Sequence, residues 1–238
     1  MSVFGVTIET FLSRHPLGYG PFRRASKGIR TAILATLLSA APLAAAPAEL
    51  VALGDSLTQG YGLMPEDGLV PQLQAWLSAQ GAEVSVINAG VSGDTTAGGR
   101  ARLDWSLDDK TTAVMIELGG NDILRGLPPE IARENLDAML AEVTGRGLPV
   151  LLIGVKAPGN YGPEYQAKFD AIWPELAAKY HALLLPNLLA PIAAVTPEER
   201  AARGLMQADG LHPAPAGVKL VVAALGPKVL ELLGQARR

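Results

Sequence analysis

The sequence predicts an α/β fold, a three-layer α/β/α sandwich around a five-stranded parallel sheet. Two observations lead to this fold class. Short, almost wholly apolar runs recur along the chain, as in strands that are buried on both faces. Longer segments with apolar residues at helical spacing lie between these runs, and such an alternation calls for parallel strands joined by right-handed crossovers.

Five segments are predicted as strands. They are residues 50–53, 84–87, 113–116, 149–155 and 182–185, and the first of them ends at Gly54-Asp55. In an open parallel sheet, ligands bind beyond the carboxyl ends of the strands. The loops that follow residues 53, 87, 118 and 155 are therefore expected to converge on one cleft.

Helical spacing is clear in the segments 69–77, 131–143, 169–176 and 218–233. The second of these is followed by Gly145-Arg146-Gly147-Leu148-Pro149, a combination that stops a helix. Trp76 and Trp173 lie on the apolar faces of two of these segments, so we expect both in the core rather than at a cofactor.

The composition excludes several classes of function. The 238 residues carry a formal charge of −3, so no basic field exists to attract nucleic acid. The absence of cysteine excludes disulfides, thiolate metal sites and a cysteine nucleophile. Three histidines are too few to favour a site built from histidine ligands alone.

Residues 1–48 are predicted to be a secretory signal or N-terminal extension, and residues 49–238 the functional domain. Basic residues precede the apolar run 31–38, and Ala46-Pro47-Ala48 supplies a small-residue cleavage pattern. We expect cleavage after Ala48, with Ala45 or Ala46 as alternatives, and a periplasmic or secreted product. An amphipathic or disordered extension is the other interpretation.

Two further sequence features bear on export and on membrane insertion. The pair Arg23-Arg24 would fit a twin-arginine signal, but the residues after it lack the apolar character of such signals. No later stretch reaches the roughly 18 uninterrupted apolar residues of a membrane helix, so no stable membrane insertion is expected.

A candidate nucleophile follows the first predicted strand. Ser56 stands where a strand passes into a helix, which exposes its hydroxyl and its backbone N–H to the cleft. The spacing differs from the Gly-x-Ser-x-Gly elbow of α/β-hydrolases. Taken alone, Ser56 could equally be a helix N-cap.

A candidate base lies near the other end of the chain, in Asp209-Gly210-Leu211-His212-Pro213. A carboxylate three residues before a histidine can accept its Nδ1 proton and leave Nε2 as a base. A surface Asx turn is the alternative for this motif. His181 has no comparable neighbours and is interpreted as solvated or structural.

Two glycine-containing loops add candidate hydrogen-bond donors. Gly93 follows the second predicted strand, and Asn121 follows the third in Gly119-Gly120-Asn121-Asp122. Together with the Ser56 N–H, the Gly93 N–H and the Asn121 amide would form an oxyanion hole. Turn formation alone is the competing explanation for each loop.

The chain resembles the GDSL esterases, also called SGNH hydrolases, over essentially the whole of residues 49–238. The matching blocks are Gly54-Asp55-Ser56-Leu57, Ser92-Gly93-Asp94-Thr95, Gly119-Gly120-Asn121-Asp122 and Asp209-Gly210-Leu211-His212-Pro213. Leu124-Arg125-Gly126 and Asn160-Tyr161-Gly162 add a likeness to the bacterial periplasmic branch, which includes acyl-CoA thioesterase I/lysophospholipase and arylesterases.

The resemblance implies a flavodoxin-like sheet, no metal and no cofactor. It implies Ser56 as nucleophile, His212 as base and Asp209 as its partner, with oxyanion donors from Ser56, Gly93 and Asn121. The loop with Gly159, Asn160 and Tyr161 would help to bind the acyl group. The expected substrate is a small acyl ester or thioester, including lysophospholipid, acted on by a monomer or weak dimer.

Other functions remain open at this point. A carbohydrate O-acetylesterase would use the same triad. A non-catalytic flavodoxin-like binding module would hold phosphate at its strand ends, although no Gly-rich phosphate loop is present. A response regulator with Asp55 as phosphoacceptor lacks the additional acidic residues and the lysine of that class.

Overall fold

Five parallel strands form one sheet in the computed structural model, which describes residues 48–236. Their order is β2-β1-β3-β4-β5, and every neighbouring pair is parallel. The strands are Ala48–Gly54 (β1), Val84–Gly90 (β2), Thr111–Glu117 (β3), Val150–Ile153 (β4) and Leu183–Leu185 (β5).

Helices connect the strands and cover both faces of the sheet. They are Ser56–Gln59 (α1), Leu69–Ala79 (α2), Thr96–Ser106 (α3), Gly120–Leu124 (α4), Pro129–Gly145 (α5), Pro163–Asp170 (α6), Ile172–Tyr180 (α7), Ala190–Ala193 (α8), Pro197–Ala202 (α9) and Pro215–Ala236 (α10). Short 3₁₀ turns add Pro65–Asp67 and Gly159–Tyr161. The predicted α/β/α sandwich with a five-stranded parallel sheet is confirmed.

Alternation along the strands separates the core into two layers. Leu50 and Ala52 of β1 face α2 and α10, whereas Val51 and Leu53 face the layer formed by α3, α5 and α7. Strands β3 and β4 alternate in the same way. Because apolar side chains leave both faces, these strands appear in the sequence as continuous apolar runs.

The helices differ from the sequence analysis at two places. The predicted helix over residues 169–176 is divided at Ala171 between α6 and α7. Helix α3 is not among the predicted helices; it contains Gly98 and Gly99 and buries Leu103 as its single large apolar side chain. Gly99 is required for packing, since a Cβ there would lie 2.2 Å from Leu118 Cδ1.

The prediction for residues 1–48 lies outside the described residues except at Ala48. Ala48 is the first residue of β1 and pairs with Val84 of β2. Within residues 48–236, we find no helix that combines the length and the apolar character needed to cross a membrane.

Two glycines of α10 provide a test of how this helix packs. A Cβ at Gly217 would lie 2.1 Å from the carbonyl oxygen of Leu205, whereas one at exposed Gly234 would meet nothing within 4 Å. We expect Gly217→Ala to lower the free energy of unfolding by about 1–3 kcal/mol through overpacking. Gly234→Ala should raise it by up to about 1 kcal/mol through helix propensity. Urea denaturation measures both, and equal effects would contradict the described packing.

Candidate active site

Ser56 lies at the point where β1 ends and α1 begins. Asp55 caps α1, since its Oδ1 accepts a hydrogen bond of 3.0 Å from the backbone N–H of Leu57. The N-cap role that the sequence left open for Ser56 is therefore filled by Asp55. This leaves the Ser56 hydroxyl available for another partner.

That partner is His212. Its Nε2 lies 2.9 Å from Ser56 Oγ, although the two residues are 156 positions apart in the sequence. Its Nδ1 lies 2.7 Å from Asp209 Oδ2. The three side chains thus form one continuous chain of hydrogen bonds from carboxylate to hydroxyl.

Asp209 also forms the Asx turn that the sequence analysis offered as an alternative. Its Oδ1 accepts hydrogen bonds from the backbone N–H groups of Leu211 and His212, at 2.9 and 3.0 Å. The backbone N–H of His212, the His212 ring and the N–H of Leu211 together lower the pKa of Asp209 to about 2. The turn therefore positions an ionised carboxylate on the imidazole.

The ring of His212 is held from a second side. The ring centroids of Tyr61 and His212 are 4.9 Å apart, and the His212 side chain is only 12% exposed. Gln207 joins the same two segments, since its Nε2 donates to the carbonyl oxygens of Tyr61 and Pro213. The imidazole thus has few alternatives to its observed orientation.

Asn121 lies after β3, at the start of α4. Gly119 precedes this helix with a φ of 118°, a conformation that favours glycine. The Nδ2 of Asn121 donates a hydrogen bond of 3.1 Å to Asp55 Oδ2. A carboxylate can only accept, which fixes the amide with its nitrogen toward Asp55.

Gly93 lies after β2 with a φ of 81°. Its carbonyl oxygen accepts a hydrogen bond of 2.7 Å from the guanidinium of Arg125, which follows α4. Among residues 48–236, neither the Gly93 N–H nor the Ser56 N–H donates a hydrogen bond within the chain. Both groups are therefore open to an external acceptor.

Asp122 connects the loops that carry Gly93 and Asn121. It is fully buried and accepts hydrogen bonds from the backbone N–H and the hydroxyl of Thr96, at 2.8 and 2.6 Å. Asn135 of α5 donates to the same hydroxyl. This buried network fixes the start of α3 against α4.

Arg102 connects the loops after β1 and β2. Its guanidinium donates to Asp94 Oδ2 at 2.6 Å, to the carbonyl oxygen of Ala89 at 2.7 Å and to that of Gly54 at 2.8 Å. Gly54 and Asp94 each lie next to a site loop. One planar side chain therefore sets the spacing between these loops.

An open cleft of about 290 Å³ adjoins Ser56, Asn121 and His212. Loops after β1, β3 and β4 line it as the sequence predicts, whereas the loop after β2, which was expected at the same cleft, contributes no lining residue. Much of its wall is apolar and comprises Ile123, Leu124, Val155, Pro158, Leu189 and Leu211.

The predicted acyl-binding residues Gly159, Asn160 and Tyr161 form a 3₁₀ turn next to Pro158 and do not line the cleft itself. Tyr161 instead donates a hydrogen bond of 2.9 Å to the carbonyl oxygen of Ile123. It therefore supports the cleft wall from behind. In the part of the chain that the structure describes, no group of three or more acidic or histidine side chains is arranged to hold a metal ion.

Residues 52–220 match the family model described as the GDSL-like Lipase/Acylhydrolase family. The chain belongs to this family. The resemblance predicted from the sequence is thereby confirmed, and the protein is a carboxylic ester hydrolase of the GDSL type.

Individual relatives cover most of the chain. It is 40% identical over 190 residues to Esterase TesA of Pseudomonas aeruginosa, covering 79% of this chain and 91% of that protein. It is 38% identical over 173 residues to Thioesterase 1/protease 1/lysophospholipase L1 of Escherichia coli K12, covering 71% and 77%. A crystal structure of TesA superposes with a TM-score of 0.70 at 39% identity, covering 77% of this chain and 99% of that one.

Substitution of Arg102 tests its role between the loops. Arg102→Lys keeps the charge, but its ammonium is a compact point donor and cannot span the three separate acceptors that Nε, Nη1 and Nη2 bind, so we expect the free energy of unfolding to fall by about 1.5–3 kcal/mol. We also expect ester hydrolysis to slow. Arg133→Lys is the control, because Arg133 pairs with Glu175 at the surface and its loss should change stability by less than about 0.5 kcal/mol. Equal unfolding midpoints for the two variants would contradict this role.

Proposed function

We propose that this hydrolase cleaves small acyl esters and thioesters through a Ser56-His212-Asp209 triad and an acyl-enzyme. The observation that carries the proposal is the hydrogen-bond chain Asp209–His212–Ser56, with distances of 2.7 and 2.9 Å. A hydroxyl is a weak nucleophile unless a base accepts its proton, and here the base lies within reach.

Acylation begins with attack of Ser56 Oγ on the substrate carbonyl carbon, while His212 Nε2 accepts the hydroxyl proton. The ionised Asp209 stabilises the resulting imidazolium through the Nδ1–H. Collapse of the tetrahedral intermediate breaks the bond to the alcohol or thiol, which leaves with the proton that His212 returns. In the second half, His212 deprotonates water, and the attack of this water on the acyl-enzyme releases the acid.

The negative oxygen of the tetrahedral intermediate would be bound by the Ser56 N–H, the Gly93 N–H and the Asn121 side chain. The two backbone donors make no bond within residues 48–236, and Asn121 has a second amide proton beyond the one given to Asp55. In serine hydrolases one such donor is worth about 2.7–4 kcal/mol of transition-state stabilisation.

The apolar wall of the cleft favours a hydrocarbon acyl group over a sugar. Leu124 and Leu211 are 56% and 44% exposed at the cleft, so an acyl chain bound there would remove both from water. Esters, aryl esters, acyl-CoA-type thioesters and lysophospholipids share such a group. Gly159, Asn160 and Tyr161 would influence binding by holding Pro158 and Ile123 in this wall.

The cellular setting belongs to the same proposal. We infer that residues 1–48 form an export signal and residues 49–238 the hydrolase domain, with cleavage near Ala48. The product would work in the periplasm or outside the cell, as a monomer or weak dimer. N-terminal sequencing of exported protein locates the cleavage site.

The triad is tested by substitution and by labelling. Ser56→Ala and His212→Ala should each lower kcat at least about 10³-fold, and Asp209→Asn should lower it strongly through loss of the imidazole tautomer. Circular dichroism should show an unchanged fold in all three. A serine-directed phosphonate should label the wild type at Ser56 and leave Ser56→Ala unlabelled, while an active Ser56→Ala variant would refute the mechanism.

A substrate panel identifies the preferred acyl group. We expect kcat/KM to rise from acetyl to longer p-nitrophenyl esters, since each further buried methylene contributes about 0.8 kcal/mol. Leu211→Ser should flatten this rise without changing acetate hydrolysis by much. A preference for acetyl esters, with faster release of acetate from an acetylated sugar, would favour the carbohydrate O-acetylesterase instead.

A further inference from the structure

We propose that Asp55 and Glu117 share one proton and act as a positioning pair that holds the Asn121 amide in the orientation needed for oxyanion binding. Glu117 is buried behind the cleft and Asp55 lies at its edge, and the role assigned to the pair is to position Asn121 rather than to react with the substrate. The inference rests on the proposed function of Asn121.

Glu117 is the last residue of β3, and its side chain contacts residues that follow β1. It is only 4% exposed. Its Oε2 accepts a hydrogen bond of 2.9 Å from the Thr58 hydroxyl and one of 3.4 Å from the backbone N–H of Asp55. The remaining oxygen is then free to carry a proton.

Gly54 leaves the space that the Glu117 side chain occupies. A Cβ at Gly54 would lie 2.0 Å from Thr58 Oγ1 and 2.8 Å from Glu117 Oε2. In the sheet register, Gly54 of β1 is directly opposite Glu117 of β3. The glycine before the nucleophile loop therefore admits an acidic side chain under the active site.

The second carboxyl group is that of Asp55, which is 3% exposed. The backbone N–H of Asp55 donates to Glu117 Oε2, so the two buried carboxyl groups belong to residues in direct contact. Two negative charges buried so close together repel each other, and protonation of one member of the pair removes this cost. Burial and the charge of Asp55 raise the pKa of Glu117 well above its usual range, which places the proton on Glu117.

Asp55 then remains the charged member. Burial raises its pKa, but the backbone N–H of Leu57 and the side chains of Glu117 and Asn121 stabilise its ionised form. His212 is the other titratable group that acts on it, and the Arg102 guanidinium is bound to the adjacent Gly54 carbonyl oxygen. The result is a single buried negative charge that accepts hydrogen bonds from the Leu57 backbone and the Asn121 amide.

This arrangement has a direct consequence for Asn121. Its amide gives one proton to Asp55 at 3.1 Å, so the rotation of the amide plane and the identity of its nitrogen are both fixed. The second amide proton is then presented in one direction. Loss of the Glu117 proton would put two negative charges beneath the site and push the Asp55 carboxylate away from Asn121.

The first experiment observes the proton. Uniform labelling of glutamate carboxyl carbons with ¹³C in the wild type should give, at neutral pH, one resonance with the shift of a protonated carboxyl. That resonance should be absent from Glu117→Gln and present in Glu231→Gln, a control on α10 whose exposed carboxylate pairs with Lys228. A wild-type spectrum with ionised shifts for every glutamate would overturn the proposal.

The second experiment measures coupling between Glu117 and Asn121. Glu117→Ala should lower kcat about tenfold or more with little change in KM, because the lost interaction acts on the transition state. In the Asn121→Ala background the same change should cost less than about threefold, since the group being positioned is gone. Equal losses in both backgrounds would overturn the positioning role.

Glu117→Gln is the conservative variant and guards against a folding defect. Its amide can donate to Asp55 and accept from Thr58, so it should recover most of the kcat that Glu117→Ala loses. Thermal unfolding of all variants separates stability from rate. An inactive Ser56→Ala variant together with ionised glutamates, or with equal losses in both backgrounds, refutes only the positioning pair. An active Ser56→Ala variant would refute the proposed function itself.

Discussion

The hydrogen bond between Ser56 and His212 is the contact on which the arrangement of this enzyme depends. It joins the first loop of the described chain to the loop before its last helix, across 156 positions of sequence. Two local structures bring these loops together. Strand β1 carries Ser56 to the edge of the sheet, and the Asx turn at Asp209 directs the imidazole of His212 toward it. The strand order places the start of α1 beside α4, because β1 and β3 are neighbours.

Three polar side chains join the segments around that contact. Glu117 accepts from two groups that follow β1, Asp122 accepts from the backbone and hydroxyl of Thr96, and Arg102 donates to carbonyl oxygens of both β1 and β2. Such groups are costly to bury unless their partners are in place, so each becomes a geometric constraint on the loops that it joins. The site is consequently rigid where the donors lie and apolar where an acyl group would bind.

The sequence predicts the strands from their apolar runs and the site from the polar residues that follow those runs. Strands β1, β3 and β4 are evident because both of their faces are apolar, and the family is evident from four short blocks, three of which follow strands while the fourth precedes α10. Helix α3 is less evident, since Gly98 and Gly99 lower its helix propensity and its stability comes from Thr95 as N-cap and from contact with Leu118. Arg102 and Glu117 were not identified as site residues because their roles depend on partners that are distant in sequence. A charged residue within an otherwise apolar strand was the available signal for Glu117.

The separation between the polar floor of the cleft and its hydrocarbon wall has a consequence for how enzymes of this kind diversify. Pro158 and Leu189 come from segments that contribute no group to the hydrogen-bond chain Asp209–His212–Ser56 or to the buried contacts of Asp122. Replacement of such wall residues reshapes the space offered to a substrate and leaves the reacting atoms where they are. Selectivity and chemistry can thus drift independently, which allows one scaffold to serve many different esters over evolutionary time.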